Sequence, residues 1–170
     1  MRDFLRGYWM YLAGIAILWF GLFWQARNEI VRVPEESSGM RQALKANSLY
    51  IFTQHSDQKL KPGDIVYVAF ERITATGGLD TRPWFGRVVA LEGERVEMRD
   101  GRLYVHGRRR VLPFVEPSDP RRLKDPVFQM EEVLVPRGCV FVLMDDRTDI
   151  LDSRILGPIP LDAIVAFRRR

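Results

Sequence analysis

From Gly7 to Ala26 the chain carries no charged residue; the twenty positions read GYWMYLAGIAILWFGLFWQA. At about 1.5 Å per residue, a helix of that length spans about 30 Å, the thickness of a bilayer's hydrocarbon core. Tyr8, Trp9 and Tyr11 stand near one end, and Trp19, Phe23 and Trp24 toward the other, as aromatic belts at two membrane interfaces would. The run is too long for the apolar region of a cleavable leader. Trp24, Gln25 and Ala26 also form no small-x-small cleavage site. The pattern predicts an uncleaved, single-pass anchor over 7–26, with a short tail over 1–6 and a polar linker over 27–35.

After the linker the pattern is that of strands. Leu49–Phe52, Asp64–Phe70, Trp84–Leu91, Arg95–Met98, Leu103–His106, Val140–Met144 and Ala163–Phe167 are short runs rich in β-branched and aromatic residues. Asp100-Gly101 between two of them is a hairpin signal, and Pro62-Gly63 and Pro136-Arg137-Gly138 are turns set just before strands. The segment 108–132 is rich in proline and charge without a clear period, and reads as an insertion or arm on a domain spanning 36–170. The expected fold class is mainly β: many short strands in a partly closed sheet system, carried by one N-terminal transmembrane helix.

Composition narrows the function classes. A hydrophobic fraction of 46% in 170 residues allows a real core, and a net charge of +4 is too mild to imply nucleic acid. The two dense basic clusters, Arg108–Arg110 and Arg168–Arg170, read as solvated surface, although the second could touch anionic head groups at about 1 kcal/mol per residue. Cys139 is the only cysteine, so no internal disulfide can form, and its apolar neighbours make it a small hydrophobe. His55 and His106, the only histidines, have no ligand-like spacing to other donors. No metal or other cofactor is expected. Arg2 and Arg6 precede the anchor while Arg27 and Arg32 follow it, so charge alone leaves its orientation open.

Four blocks then follow the anchor in order. They are Ser37-Ser38-Gly39-Met40 with Leu44 behind it; Lys61-Pro62-Gly63-Asp64-Ile65-Val66; Gly86-Arg87-Val88-Val89-Ala90-Leu91-Glu92-Gly93-Glu94-Arg95-Val96 with the following Asp100–Gly107; and Asp145–Arg154 with Gly157-Pro158-Ile159-Pro160. In this order they resemble type I signal peptidase, peptidase S26, over about residues 36–166, with the arm 108–132 outside the likeness. The resemblance implies a serine nucleophile and a lysine base that must be desolvated to accept a proton near neutrality. It also implies a hydroxyl that orients the lysine and an oxyanion hole.

Carried over residue by residue, the nucleophile position is Gly39, the base position is Gly86 beside Arg87, and the orienting hydroxyl falls on Ile150. Ser37 alone matches, at the oxyanion position, with Met40 beside the groove. The glycine–aspartate that follows the first block in the family is Asn47-Ser48 here. A glycine offers neither nucleophile nor base, and Arg87 stays protonated. Ser38, one residue from the expected place, would need a base, and Lys45, Lys59 and Lys61 lie in polar contexts. Arg87, Asp145, Arg147, Asp152, Ser153 and Arg154 read as a charged network that holds a loop. Asp152 and Arg154, two apart, would share a face on an extended chain.

These residues lead to the expectation of a membrane-anchored relative of signal peptidase without Ser/Lys activity, acting as a binding, assembly or structural subunit. Its expected partners are membrane lipid and either another membrane protein or an extended peptide that adds a strand to a sheet edge. The competing expectation is an active membrane-bound endopeptidase, of signal-peptidase or pilin-maturation type, using Ser38. The resemblance implies a cytoplasmic (inner) membrane location, the amino terminus in the cytoplasm and the domain on the outer, periplasmic face.

Overall fold

The computed structural model describes residues 2–35, 38–55, 59–69, 72–73, 79–80, 83–112, 125–146 and 151–169. Ser37, Arg147 and Ile150 of the sequence reading, and the middle of its arm, fall outside these. The first helix, α1, runs Arg2–Arg27. Its stretch Trp9–Arg27 is long and apolar enough to cross a membrane, and none of it is buried against the rest of the chain. Trp19, Phe20 and Leu18 are each about 70% exposed, a contiguous apolar surface of the kind that marks a membrane or protein contact.

Where a linker was expected, the chain instead enters a strand directly. Asn28 ends α1 by donating its side-chain Nδ2 to Trp24 O at 2.9 Å, and β1 (Asn28–Arg32) starts on the same residue. Val31 and Val33 point into the core while Ile30 and Arg32 point out. Charged Glu29 and Arg32 mask this alternation in the sequence, so the pattern by itself predicts a polar linker.

Next along the chain come β2 (Leu49–Gln54), β3 (Ile65–Val68), the short ribbon β4 (Arg72–Ile73) and β5 (Leu79–Asp80), and β6 (Trp84–Ala90). They are followed by β7 (Arg95–Arg99), β8 (Arg102–Val105), β9 (Arg108–Arg109), β10 (Met130–Leu134), β11 (Cys139–Leu143), the one-turn helix α2 (Ser153–Leu156), β12 (Ile159–Pro160) and β13 (Ile164–Arg168). Among the described residues, seven strands form one antiparallel sheet in the order β1-β2-β13-β3-β6-β11-β12. Four more form a second sheet, β10-β7-β8-β9.

The arm thus contributes structure at both ends: Arg108–Arg109 and Met130–Leu134 are the two edges of the second sheet. Neither edge was legible, because β9 is two arginines and β10 carries two successive glutamates. The Asp100-Gly101 hairpin forms as expected, with φ of 49° and 70°. A second turn of the same hand, His106-Gly107 at 50° and 69°, joins β8 to β9.

The strand β6 is buried at every position. It is the centre of the fold because its two faces feed different cores. Trp84 and Val88 join Val66, Val142, Met144 and Ile159 in one cluster. Phe85 joins Val31, Met40, Leu44 and Phe52 in another, and Val89 and Ala90 join Val96, Leu103 and Phe141 in a third beneath the second sheet. Half-buried Cys139 packs at the border of that third cluster.

Candidate functional site

Ser38, Gly39 and Met40 of the first block form a 3-10 turn packed against β6. Gly39 and Met40 are buried in it. The exit of β11 clamps the turn from one side by three successive residues. Met144 lies against Gly39. The backbone N–H of Asp145 donates to Met40 Sδ at 3.3 Å, and that of Asp146 donates to Gly39 O at 2.8 Å.

The space in front of Gly39 is full. A β-carbon there would overlap Met144 Sδ and stand 3.0 Å from Cγ and 3.1 Å from Cβ of the same side chain. Met144 is 6% exposed, so its sulfur has little free room to swing into. The position of Gly86 is filled in the same way. It lies on β6 between Trp84 and Val88, opposite Val66 of β3. A β-carbon on it would overlap Val142 Cγ1, approach Trp84 Cζ3 to 2.9 Å and Leu143 O to 3.4 Å. Glycine inside a strand marks a close approach; here the approaching atoms are a valine methyl and an indole edge.

The two glycines therefore open onto one apolar layer. Val142 and Met144 are two residues apart along the end of β11 and belong to the same cluster as Trp84. Between them these three side chains take up the volume around both positions. They were missed in the sequence, where Met144 and Val142 read only as strand. The available signal was the pair of buried glycines: a close-packed interior leaves no void of that size, and methionine is the side chain best suited to fill an irregular gap.

Around this layer lies the charged network. Arg87 donates from Nε and Nη2 to Asp145 Oδ1 and Oδ2, each at 2.7 Å, and from Nη1 to Gly63 O at 2.8 Å. The pair is closed to solvent, with side-chain exposures of 2% and 0%. It ties β6, the Pro62-Gly63 turn and the exit of β11 into one unit. Asp64 anchors that turn from within, accepting the Lys61 N–H at 2.9 Å.

Asp152 and Arg154 do pair, at 2.9 Å, but not across an extended chain. Asp152 is the N-cap of α2 and accepts the Arg154 N–H at 3.0 Å. Its other oxygen accepts the Met144 N–H at 3.0 Å, and Ser153 Oγ accepts the Val142 N–H at 2.9 Å. The network thus fixes the backbones of the two residues that fill the glycine positions.

Lysine chemistry needs a desolvated amine. The three described lysines, Lys45, Lys59 and Lys61, are all exposed. Ser38 is placed in the 3-10 turn beside Gly39. Among the described residues there is no group of three or more His, Cys, Asp or Glu side chains that could hold a metal ion.

A family model described as signal peptidase, peptidase S26, matches residues 6–169. The chain is 42% identical over 79 residues to thylakoidal processing peptidase 1 of Arabidopsis thaliana, across 46% of this chain and 21% of that protein. It is 36% identical over 86 residues to signal peptidase I of Bacillus caldolyticus, across 46% and 47%. To signal peptidase I T of Bacillus subtilis (strain 168) it is 32% identical over 111 residues, across 63% and 54%. The chain spans from about a fifth to about half of the length of these relatives. The crystal structure of signal peptidase I from Enterococcus faecalis V583 aligns with 66% of this chain and 99% of its own, with a TM-score of 0.49 and 24% identity. With a mainly β, signal-peptidase-like fold and one N-terminal apolar helix, and with the family's pattern running through residues 6–169, the chain belongs to the signal peptidase family, peptidase S26.

Proposed function

We propose that this protein is a membrane-anchored member of the S26 family without Ser/Lys peptidase chemistry, serving as a binding, assembly or structural subunit at a membrane. The observation that carries this reading is the filled layer at Gly39 and Gly86. Both positions lack the side chains for nucleophile and base, and Met144, Val142 and Trp84 occupy the room that such side chains need. A lost catalytic residue alone would leave a hole; here the packing is adjusted to the glycines. The relatives named above are peptidases. In this reading the chain keeps their scaffold, and the Arg87–Asp145 and Asp152–Arg154 pairs keep its shape.

The helix α1 then anchors the domain in the cytoplasmic membrane, with the amino terminus inside and the β domain on the outer face. Membrane lipid is its first partner. A second membrane protein, or an extended peptide added to a sheet edge, is its second. Nucleic acid has no part in this reading.

A cleavage assay with a signal-peptide-bearing preprotein, run on the full chain in liposomes, tests the proposal. Wild type is expected to be silent. Gly39→Ser, Gly86→Lys and Ile150→Ser together are also expected to be silent, because Met144 and Val142 obstruct the two restored side chains. Activity is expected only when Met144→Ala and Val142→Ala are added. Cleavage by wild type that disappears in Ser38→Ala would overturn the proposal and establish Ser38 as a nucleophile.

A further inference from the structure

The second sheet has one face in the core and one in solvent. Val96 and Met98 of β7, with Leu103 and Val105 of β8, point inward and are buried. Strand alternation therefore puts Arg95, Glu97 and Arg99, with Arg102 and Tyr104, on the opposite, solvent face.

The register brings two like charges together on this face. Arg99 stands directly opposite Arg102 across the Asp100-Gly101 turn, and Glu97 stands opposite Tyr104. Opposed residues of an antiparallel pair share a face with β-carbons about 5 Å apart, and like charges there are destabilising. The nearby carboxylates do not balance the pair. Glu97 is taken by Arg99 at 3.1 Å, and Glu132 by Arg95 at 2.8 Å. Asp100, in the turn itself, and exposed Arg102 have no ion pair among the described residues. Arg99 also lies over the Tyr104 ring, with its guanidinium carbon 4.3 Å from the centroid. Tyr104 is half-buried, so its ring is a fixed platform, two residues along β8 from Arg102. Leu134, opposite Arg95 on β10, adds an apolar side chain that is 51% exposed. Arginine and tyrosine beside an exposed apolar side chain are the composition of protein interfaces.

We propose that this face docks an acidic segment of a protein partner, with a Glu or Asp carboxylate seated against Arg102 and Arg99 and the segment lying over Tyr104. A carboxylate there meets a guanidinium fork with paired hydrogen bonds and removes the repulsion between the two arginines. An anionic lipid surface suits the face less well, because Glu97 and Glu132 stand among the arginines. A segment can meet Arg102 and Tyr104 and leave those two carboxylates aside. None of the side chains found against Gly39 and Gly86 belongs to this face, so docking here does not depend on whether the chain cleaves peptides.

In the test, a labelled short peptide of alternating glutamate and serine is titrated with the full chain in phosphatidylcholine nanodiscs and followed by fluorescence anisotropy. Saturable binding that weakens as salt is raised is expected, with none for the same peptide carrying glutamine in place of glutamate. Arg99→Gln with Arg102→Gln should weaken it by about tenfold or more. Glu97→Gln, which frees Arg99 from its partner and removes a repelling charge, should tighten it by about two- to fivefold. Arg137→Gln removes a positive charge from an exposed turn outside this face and should leave binding unchanged. An unchanged thermal melt checks that each variant keeps the fold. No saturable binding, equal binding by the folded double variant, no tightening in Glu97→Gln, or a loss in Arg137→Gln as large as in the double variant would each overturn the proposal. Displacement of the peptide by soluble short-chain phosphatidylglycerol more readily than by unlabelled peptide would assign the face to lipid and overturn it as well.

Discussion

The sulfur of Met144 lies where a β-carbon on residue 39 would stand. The position that carries the nucleophile by resemblance is thus a packing position in this chain, and it has a measurable signature. Gly39→Ser should destabilise the protein by about 1–3 kcal/mol, the usual cost of overfilling a close-packed interior. Met144→Ala alone should also destabilise it, by about 2–5 kcal/mol, through the cavity it leaves. The two together should cost less than their sum. A double-mutant cycle from denaturant unfolding of the full chain in detergent would show a favourable coupling of about 1 kcal/mol or more. Simple additivity would mean that Met144 does not fill the Gly39 site.

Gly86 should be less forgiving. Its obstructing atom belongs to Val142, a β-branched side chain with a stiff χ1, and behind it lie an indole edge and a backbone carbonyl. Gly86→Ala is expected to cost about 3 kcal/mol, at the upper end of overpacking effects. Val142→Ala should rescue it in part, whereas Met144→Ala should not. The same unfolding measurement distinguishes the two rescues.

The Arg87–Asp145 pair tests the network independently of either glycine. Both groups are buried, and Asp145 supplies two of the three acceptors of Arg87. Asp145→Ala should cost about 3–5 kcal/mol, because it leaves a buried guanidinium without its counter-charge. Arg87→Met with Asp145→Leu should be much milder, since removing both charges leaves no uncompensated ion. The melting temperatures of the three chains, compared at one pH, decide between a pair that holds the fold and one that the fold merely tolerates.

Glu94 predicts a pH dependence. Burial pushes its carboxyl up. The hydrogen bonds from Arg110 and the Leu91 N–H, with the nearby positive charges of Arg110 and His106, outweigh burial and hold it below the ordinary glutamate range. A carboxyl lowered in the folded state is protonated first in the unfolded chain. Its stabilisation is therefore complete above the unfolded value and is lost as pH falls through the folded one. Wild type should lose stability on acidification through that window, and Glu94→Gln should flatten this part of the profile. At neutral pH the substitution should cost only about 1 kcal/mol, because the ion pair is partly exposed. Parallel unfolding curves of the two chains at all acid pH values would exclude Glu94 as the source.

Much of the protein was legible in the chain itself. Twenty uncharged positions with aromatic ends can form one kind of element, and runs such as Val88-Val89-Ala90 and Val140–Leu143 can bury both faces only as central strands. Asp100-Gly101 set its hairpin because few dipeptides adopt two successive positive φ angles easily. The edges were not legible. In β1, β9 and β10, pairing to a neighbour outweighs the polar side chains, and for β1 and β10 that neighbour is remote in sequence: Ile30 meets Ile51, and Leu134 meets Arg95.

At the candidate site, motif order alone sets Gly39 and Gly86 against the positions that the resemblance gives to nucleophile and base. Tertiary structure alone decided what packs against the two glycines. Met144 and Val142 reach those positions from more than fifty residues away because β11 pairs with β6 and its exit runs along the 3-10 turn. Whether a missing side chain leaves an open groove or a filled layer is a matter of volume. Volume is shared among neighbours in space, and a residue's place in the chain does not reveal who those neighbours are.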